Sequence, residues 1–160
     1  MRPVFALFVF ILASGVAVAE DGASVALVGL DGRKSALTLS ELDALPQVQI
    51  NAKEHGKAHL FEGALLGDVL SKVGAPAGKA IRGEELADVV IIEARDGYKI
   101  ALDLAGTDPT MRNERVILAD RMDGAPLDSD HGPFLLVVEG DLRPARAVRM
   151  VFSIRLERIR

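Results

Sequence analysis

Residues 148–159 read Val-Arg-Met-Val-Phe-Ser-Ile-Arg-Leu-Glu-Arg-Ile, and their alternation decides how the rest of the chain is to be read. Val148, Met150, Phe152, Ile154 and Leu156 share one face of an extended segment, the period-two pattern of a half-buried strand. Working back from it, residues 134–138 and 116–119 predict further strands. The unbroken apolar run at 89–92 predicts a strand buried on both faces, turned by Asp96-Gly97 into 98–102. Toward the start, residues 25–30 and 36–39 flank the turn pair Asp31-Gly32. Val48 and Ile50 alternate with Gln47, Gln49 and Asn51, and 58–61 is extended again across the polar stretch 52–57. Helical signals are few. Ser40-Glu41-Leu42-Asp43 fits a capping box that Pro46 ends, and after Gly63 the residues Ala64, Leu65, Val69, Leu70 and Val73 recur at helical spacing until Gly74 and Pro76 stop them. About eight strands, one good helix and two short turns of helix in mixed order predict an α+β, mainly-β domain rather than βαβ repetition.

A chain of 160 residues is the length of one domain. Lys plus Arg number 19 against 23 Asp plus Glu, a net charge of -4, and no basic stripe offers contacts to phosphates, so no nucleic-acid partner is expected. The sequence has no Cys, which removes thiolate nucleophiles, disulfides and any metal site built on a protein sulfur. Arg2, the apolar run 3–13 and Ala17-Val18-Ala19 read as a secretory signal peptide cleaved after Ala19, too short in its apolar part for the about 20 residues of a spanning helix. Residues 1–19 are thus expected to be a signal and 20–160 a single periplasmic domain.

Sequence motifs for P-loops, zincins, serine hydrolases and dinucleotide folds are absent. What remains is polar residues in predicted loops. His55 and His59 are four apart, but in extended chain that sets them about 13 Å apart, too far for one ion. His131-Gly132-Pro133 precedes a core strand, where a short loop can hold an imidazole at a cavity mouth or merely turn the chain. Asp141 with Arg143, Arg146 and Arg149 makes a charged loop that either faces a ligand or is a solvated surface. Asp120-Arg121 with Glu62 offers an ion pair of structural kind.

The order of segments also carries a resemblance. Leu37-Thr38-Leu39-Ser40-Glu41-Leu42 with Leu45-Pro46, Phe61-Glu62-Gly63-Ala64-Leu65-Leu66-Gly67-Asp68-Val69-Leu70 with Val73-Gly74-Ala75-Pro76, Asp96-Gly97-Tyr98, Met122-Asp123-Gly124-Ala125-Pro126-Leu127, His131-Gly132-Pro133 and Leu135-Leu136-Val137-Val138-Glu139-Gly140 succeed one another. Together they resemble the molybdopterin-binding domain of the sulfite oxidase family over nearly all of 20–160. In that family a Cys between the Leu-Pro strand and the helix holds molybdenum; the corresponding stretch here is Ala-Lys-Glu-His-Gly-Lys-Ala-His, residues 52–59. Soft sulfur tunes such a centre, and imidazole or carboxylate does not replace it.

The chain looks closer still to short, exported, Cys-free relatives of this domain. That resemblance implies a periplasmic, non-catalytic pterin-binding protein, with molybdenum not expected, acting as a ligand sensor on a membrane-bound signalling protein such as a regulator of cyclic di-GMP. The alternatives are a small molybdopterin-dependent oxidoreductase, or a subunit of one, and an interaction module with a vestigial pocket. A pterin has a donor-rich 2-amino/N3 edge suited to a carboxylate and an O4/N5 edge suited to Arg. Arg143 or Arg146 is therefore expected as donor and planar stacker, Asp141 or Glu54 as acceptor, and His55, Tyr98 and His131 as rim groups.

Overall fold

The computed structural model describes residues 22–159, so the expected signal segment at 1–19 lies outside the described residues. Apolar runs separated by Asx-Gly turns pair into two five-stranded sheets. The first contains β1 (Ser24–Val28), β2 (Lys34–Thr38), β5 (Asp88–Ala94), β6 (Lys99–Asp103) and β10 (Val151–Arg158), in the spatial order β2-β1-β10-β5-β6. Within it β1 lies parallel to β10, with Ala26 opposite Ser153, and every other pair is antiparallel. The second is antiparallel: β3 (Gln47–Glu54), β4 (Lys57–Leu65), β7 (Val116–Met122) and β8 (Ala125–Pro126) in line, with β9 (Leu135–Val138) also paired to β7. Two short helices, α1 (Leu39–Asp43) and α2 (Leu66–Ser71), and four single turns of 3₁₀ helix complete the described residues.

The two sheets enclose the main core, in which Leu27, Leu37, Ile92 and Ile154 of the first meet Leu118 and Leu136 of the second. The second sheet is apolar on its far side as well. There Ile50, Phe61, Ile117, Ala119, Leu135 and Val137 form a smaller cluster, so β9 is buried at all four residues. A sheet with two apolar faces must be covered on both. The far face is the floor on which the candidate site is built.

Several local expectations are corrected. The capping box belongs to Thr38 and Glu41, not Ser40 and Asp43: the Thr38 hydroxyl accepts from the Glu41 N–H at 3.3 Å while the Glu41 carboxylate accepts from the Thr38 N–H at 2.9 Å. The apolar run after Gly63 stays extended through Leu65, because β4 needs those residues to pair with β7, and only Leu66–Ser71 is helical. β5 alternates buried and half-buried positions instead of being buried on both faces. The final strand starts at Val151, not Val148. Met150 takes a positive φ of 52° and the register slips between Val151 and Ser153, which turns Phe152 outward to 38% exposure while Ile154 and Leu156 keep their inward side.

Candidate functional site

Glu54 ends β3 and pairs with Lys57 across a two-residue turn whose central residues, His55 and Gly56, have φ of 47° and 81°. Both values are positive, as a type I′ hairpin turn requires, and Gly56 supplies the second at no steric cost. The stretch expected to be a polar connection is therefore a rigid hairpin tip that projects Glu54 over the far face of the second sheet.

Across from it, the loop before β9 is folded by Asp128, whose Oδ1 accepts the backbone N–H groups of Asp130 and His131, both at 3.0 Å. The same oxygen lies 2.6 Å from His131 Nδ1, and His131 Nε2 lies 2.9 Å from Glu54 Oε1. The imidazole thus bridges two carboxylates from different loops, with its side chain only 14% exposed. Burial alone would lower its pKa; the hydrogen bonds to Asp128 and Glu54 prevail and raise it above the ordinary histidine value. Protonated, the ring donates from both nitrogens, which is what two flanking carboxylates need.

A second clamp closes the other side. Arg146, at the end of the 3₁₀ turn Pro144–Arg146, donates through Nε to Asp141 Oδ2 at 2.9 Å and through Nη2 to Asp141 Oδ1. The fork occupies both oxygens of Asp141, and that pairing raises the Arg146 pKa against the opposing effect of burial. Tyr98, 46% exposed, donates its hydroxyl to the Ala145 carbonyl at 2.5 Å, so an exposed ring is held in one place. Between these clamps lies a cleft. Its inner end is an apolar slot of about 20 Å³ over Phe61, Leu135 and Val137, and its mouth, about 230 Å³, is bordered by Glu54, His55, Asp96, Tyr98 and Arg149. Glu54, Pro144 and Ala147 border both parts.

Of the residues expected from sequence, Glu54, His55 and Tyr98 meet at this mouth, Asp141 borders the slot, and His131 touches Glu54. Arg146 reaches the site through Asp141. Arg143 is exposed, borders neither part of the cleft, and precedes the 3₁₀ turn. His59 sits lower on β4 and pairs with Asp123 at 2.7 Å, apart from His55. Glu62 accepts from Gln49 at 2.7 Å and makes no ion pair with Arg121 among the described residues. The sequence reading does not single out Asp128, and it places Arg149 in the charged loop but favours Arg143 or Arg146 as the donor. An Asp three residues before a His in a turn is the signal that could have found the first; Arg149 enters the mouth only because the chain is irregular just before β10.

Residues 15–158 match the family model described as the oxidoreductase molybdopterin binding domain. The chain belongs to that family. It is a molybdopterin-binding, oxidoreductase-type domain with the sulfite-oxidase-like fold. Among solved structures it is similar to the sulfane dehydrogenase SoxCD from Paracoccus pantotrophus, at 18% identity and a TM-score of 0.60 over 84% of this chain and 38% of that one. The domain therefore spans well under half the length of that structural relative, and the likeness is one of fold. No curated protein matches it.

The hairpin 52–59 tests how far the residues fit the family's cofactor. It carries Glu54, His55 and His59 but no thiolate, and no set of three His, Asp or Glu side chains among the described residues converges as a metal site would. The residues present therefore offer molybdenum no sulfur ligand. The mouth, with its fixed Tyr98 ring and polar rim, has room for a small planar heterocycle, while the apolar slot beneath it has space for little more than a water. At 230 Å³ the mouth suits a small bicyclic ring better than an extended dinucleotide, since it falls below the roughly 300–1,000 Å³ typical of larger ligands.

Proposed function

We propose that this domain is a periplasmic, non-catalytic pterin-binding protein whose occupancy is read by a membrane-bound signalling partner. The observation that carries the reading is the hairpin tip. Where the family's enzymes are expected to present a metal-ligating Cys, this chain presents Glu54 beside a cleft whose mouth measures about 230 Å³, and it has no Cys anywhere to replace it. The export signal expected at residues 1–19 supports the location, and with it a partner that spans the membrane.

In this reading the pterin lies against the Tyr98 ring. The hydroxyl bond to Ala145 keeps that ring from collapsing into the slot, so little conformational entropy is lost on binding. The donor to the O4/N5 edge is Arg149, because Arg146 is committed to Asp141 and Arg143 borders neither part of the cleft. Arg149 forms no ion pair among the described residues and borders the mouth, so its guanidinium is available to a ligand. Fluorescence titration with a pterin tests this. Saturable one-to-one binding without added metal, lost in Tyr98→Ala and weakened in Arg149→Ala, is expected; absence of binding to the wild-type protein overturns it.

A further inference from the structure

Three carboxylates stand at the cleft, and the structure distinguishes them: Asp96 is exposed at the rim of the mouth, with Oδ1 accepting the Tyr98 backbone N–H at 2.9 Å. Asp141 has both oxygens on Arg146. Glu54 has Oε1 on His131 Nε2, while its Oε2 accepts no hydrogen bond among the described residues. Its side chain is only 16% exposed, and it borders both the slot and the mouth. The free oxygen is still reached by solvent at the cleft, so a ligand that covers it must replace water with a donor of its own. His131 cannot swing away to supply that donor, because Asp128 holds its other nitrogen at 2.6 Å. The orientation of Glu54 is fixed from behind by a chain of two bonds, and its unfilled lone pairs are left for whatever enters the cleft. A carboxylate accepts two parallel N–H bonds at once: Oε2 is open, and Oε1 keeps a second lone pair beyond the one His131 uses.

Building on the pterin reading, we propose that Glu54, positioned by His131 and Asp128, is the specificity element of the cleft and selects planar heterocycles that present two adjacent N–H donors. The 2-amino-4-oxo edge of a pterin is such a group, its exocyclic amine and N3–H pointing the same way. A 2,4-dioxo pteridine of the same size and shape replaces the amine with a carbonyl, so one donor becomes an acceptor facing an anion. A site built to accept a hydrogen bond rejects an analogue that cannot offer one, because the acceptor, once the ligand covers it, is left unpaired. His131 and Asp128 are positioning residues here; Glu54 is the group in contact with ligand.

The test is a paired titration of the wild-type protein with pterin and with lumazine, its 2,4-dioxo counterpart, followed by Glu54→Gln. A hydrogen bond to a charged acceptor predicts pterin binding roughly ten- to a hundredfold tighter than lumazine. In Glu54→Gln the preference should collapse to within a fewfold, mainly through weaker pterin binding. His131→Gln should narrow it without abolishing lumazine binding. Equal affinity of the wild-type protein for the two rings overturns the specificity inference while leaving the pterin reading standing, whereas binding of neither ring overturns the pterin reading itself. The wild-type comparison decides the matter even where a variant fails to fold.

Discussion

Asp120→Asn should make this protein more stable at neutral pH, although it removes a charge close to a cation. Asp120 is the extra residue of the bulge between β4 and β7: Arg121 pairs with Glu62 and Ala119 with Gly63, leaving Asp120 between them. Its side chain is 10% exposed, Oδ1 has no hydrogen-bond partner, and Arg121 Nε approaches Oδ2 only to 3.8 Å from a position that is itself 40% exposed. Burial first, and then the charge of Asp43, raise its pKa above the ordinary 3.8. Asparagine has the same shape without the charge, so what it removes is the cost of holding an anion in a buried place near the Asp43 charge, about 1–3 kcal/mol. For a chain of this size that is roughly 2–10 °C in Tm. The sign with pH follows from the direction of the shift. A carboxyl whose folded pKa is raised keeps its proton longer in the folded state, so the wild-type protein loses stability as pH rises from 3.8 through the raised value, and the variant does not. Thermal unfolding followed by circular dichroism between pH 4 and pH 8 should therefore show a Tm gain that is small at pH 4 and grows to a plateau. A gain independent of pH, or a loss at pH 8, would refute the reasoning.

Three further outcomes follow from the same structure. Gly63→Ala should destabilise at the upper end of the roughly 1–3 kcal/mol typical of overpacking, because a Cβ there would sit 2.1 Å from the Leu118 carbonyl oxygen, which is backbone and cannot move aside; chemical denaturation measures it. Phe134→Ala, which empties one of the largest fully buried sites, should cost about 3–5 kcal/mol by the same assay. His131→Gln should destabilise most below pH 6.5 and progressively less as pH rises through the raised pKa of the imidazole, since a raised histidine pKa contributes stability at low pH that is lost on deprotonation; the lowered pKa of Asp128 sets the acid limit of the same contribution. A pH-independent difference in Tm between His131→Gln and wild type would contradict the bridging role.

The sheet-forming segments were legible because their signals are local: period-two alternation in β3 and paired Asx-Gly turns at 31–32, 96–97 and 123–124. The two misread strand boundaries share one cause. Where a strand continues past the point at which its residues look helical, as at Ala64 and Leu65, or slips register, as at Val151 to Ser153, tertiary pairing decides and short-range periodicity does not. The site divides the same way. Glu54, His55 and Tyr98 could be named as candidates because they lie in or beside turns next to strands, and the structure brings the three to one mouth. That Asp141 would be consumed by Arg146 while Glu54 kept an open oxygen depends on distances between segments about 80 residues apart and on the fold of one loop, neither of which a linear pattern encodes.

The most direct test of the whole account is native mass spectrometry of the protein purified after export from its own host, with molybdenum analysis and fluorescence of the released ligand on the same sample. The account predicts a stoichiometric, fluorescent pterin and no molybdenum. Molybdenum at one equivalent per chain would contradict it and make the domain a small oxidoreductase or a subunit of one.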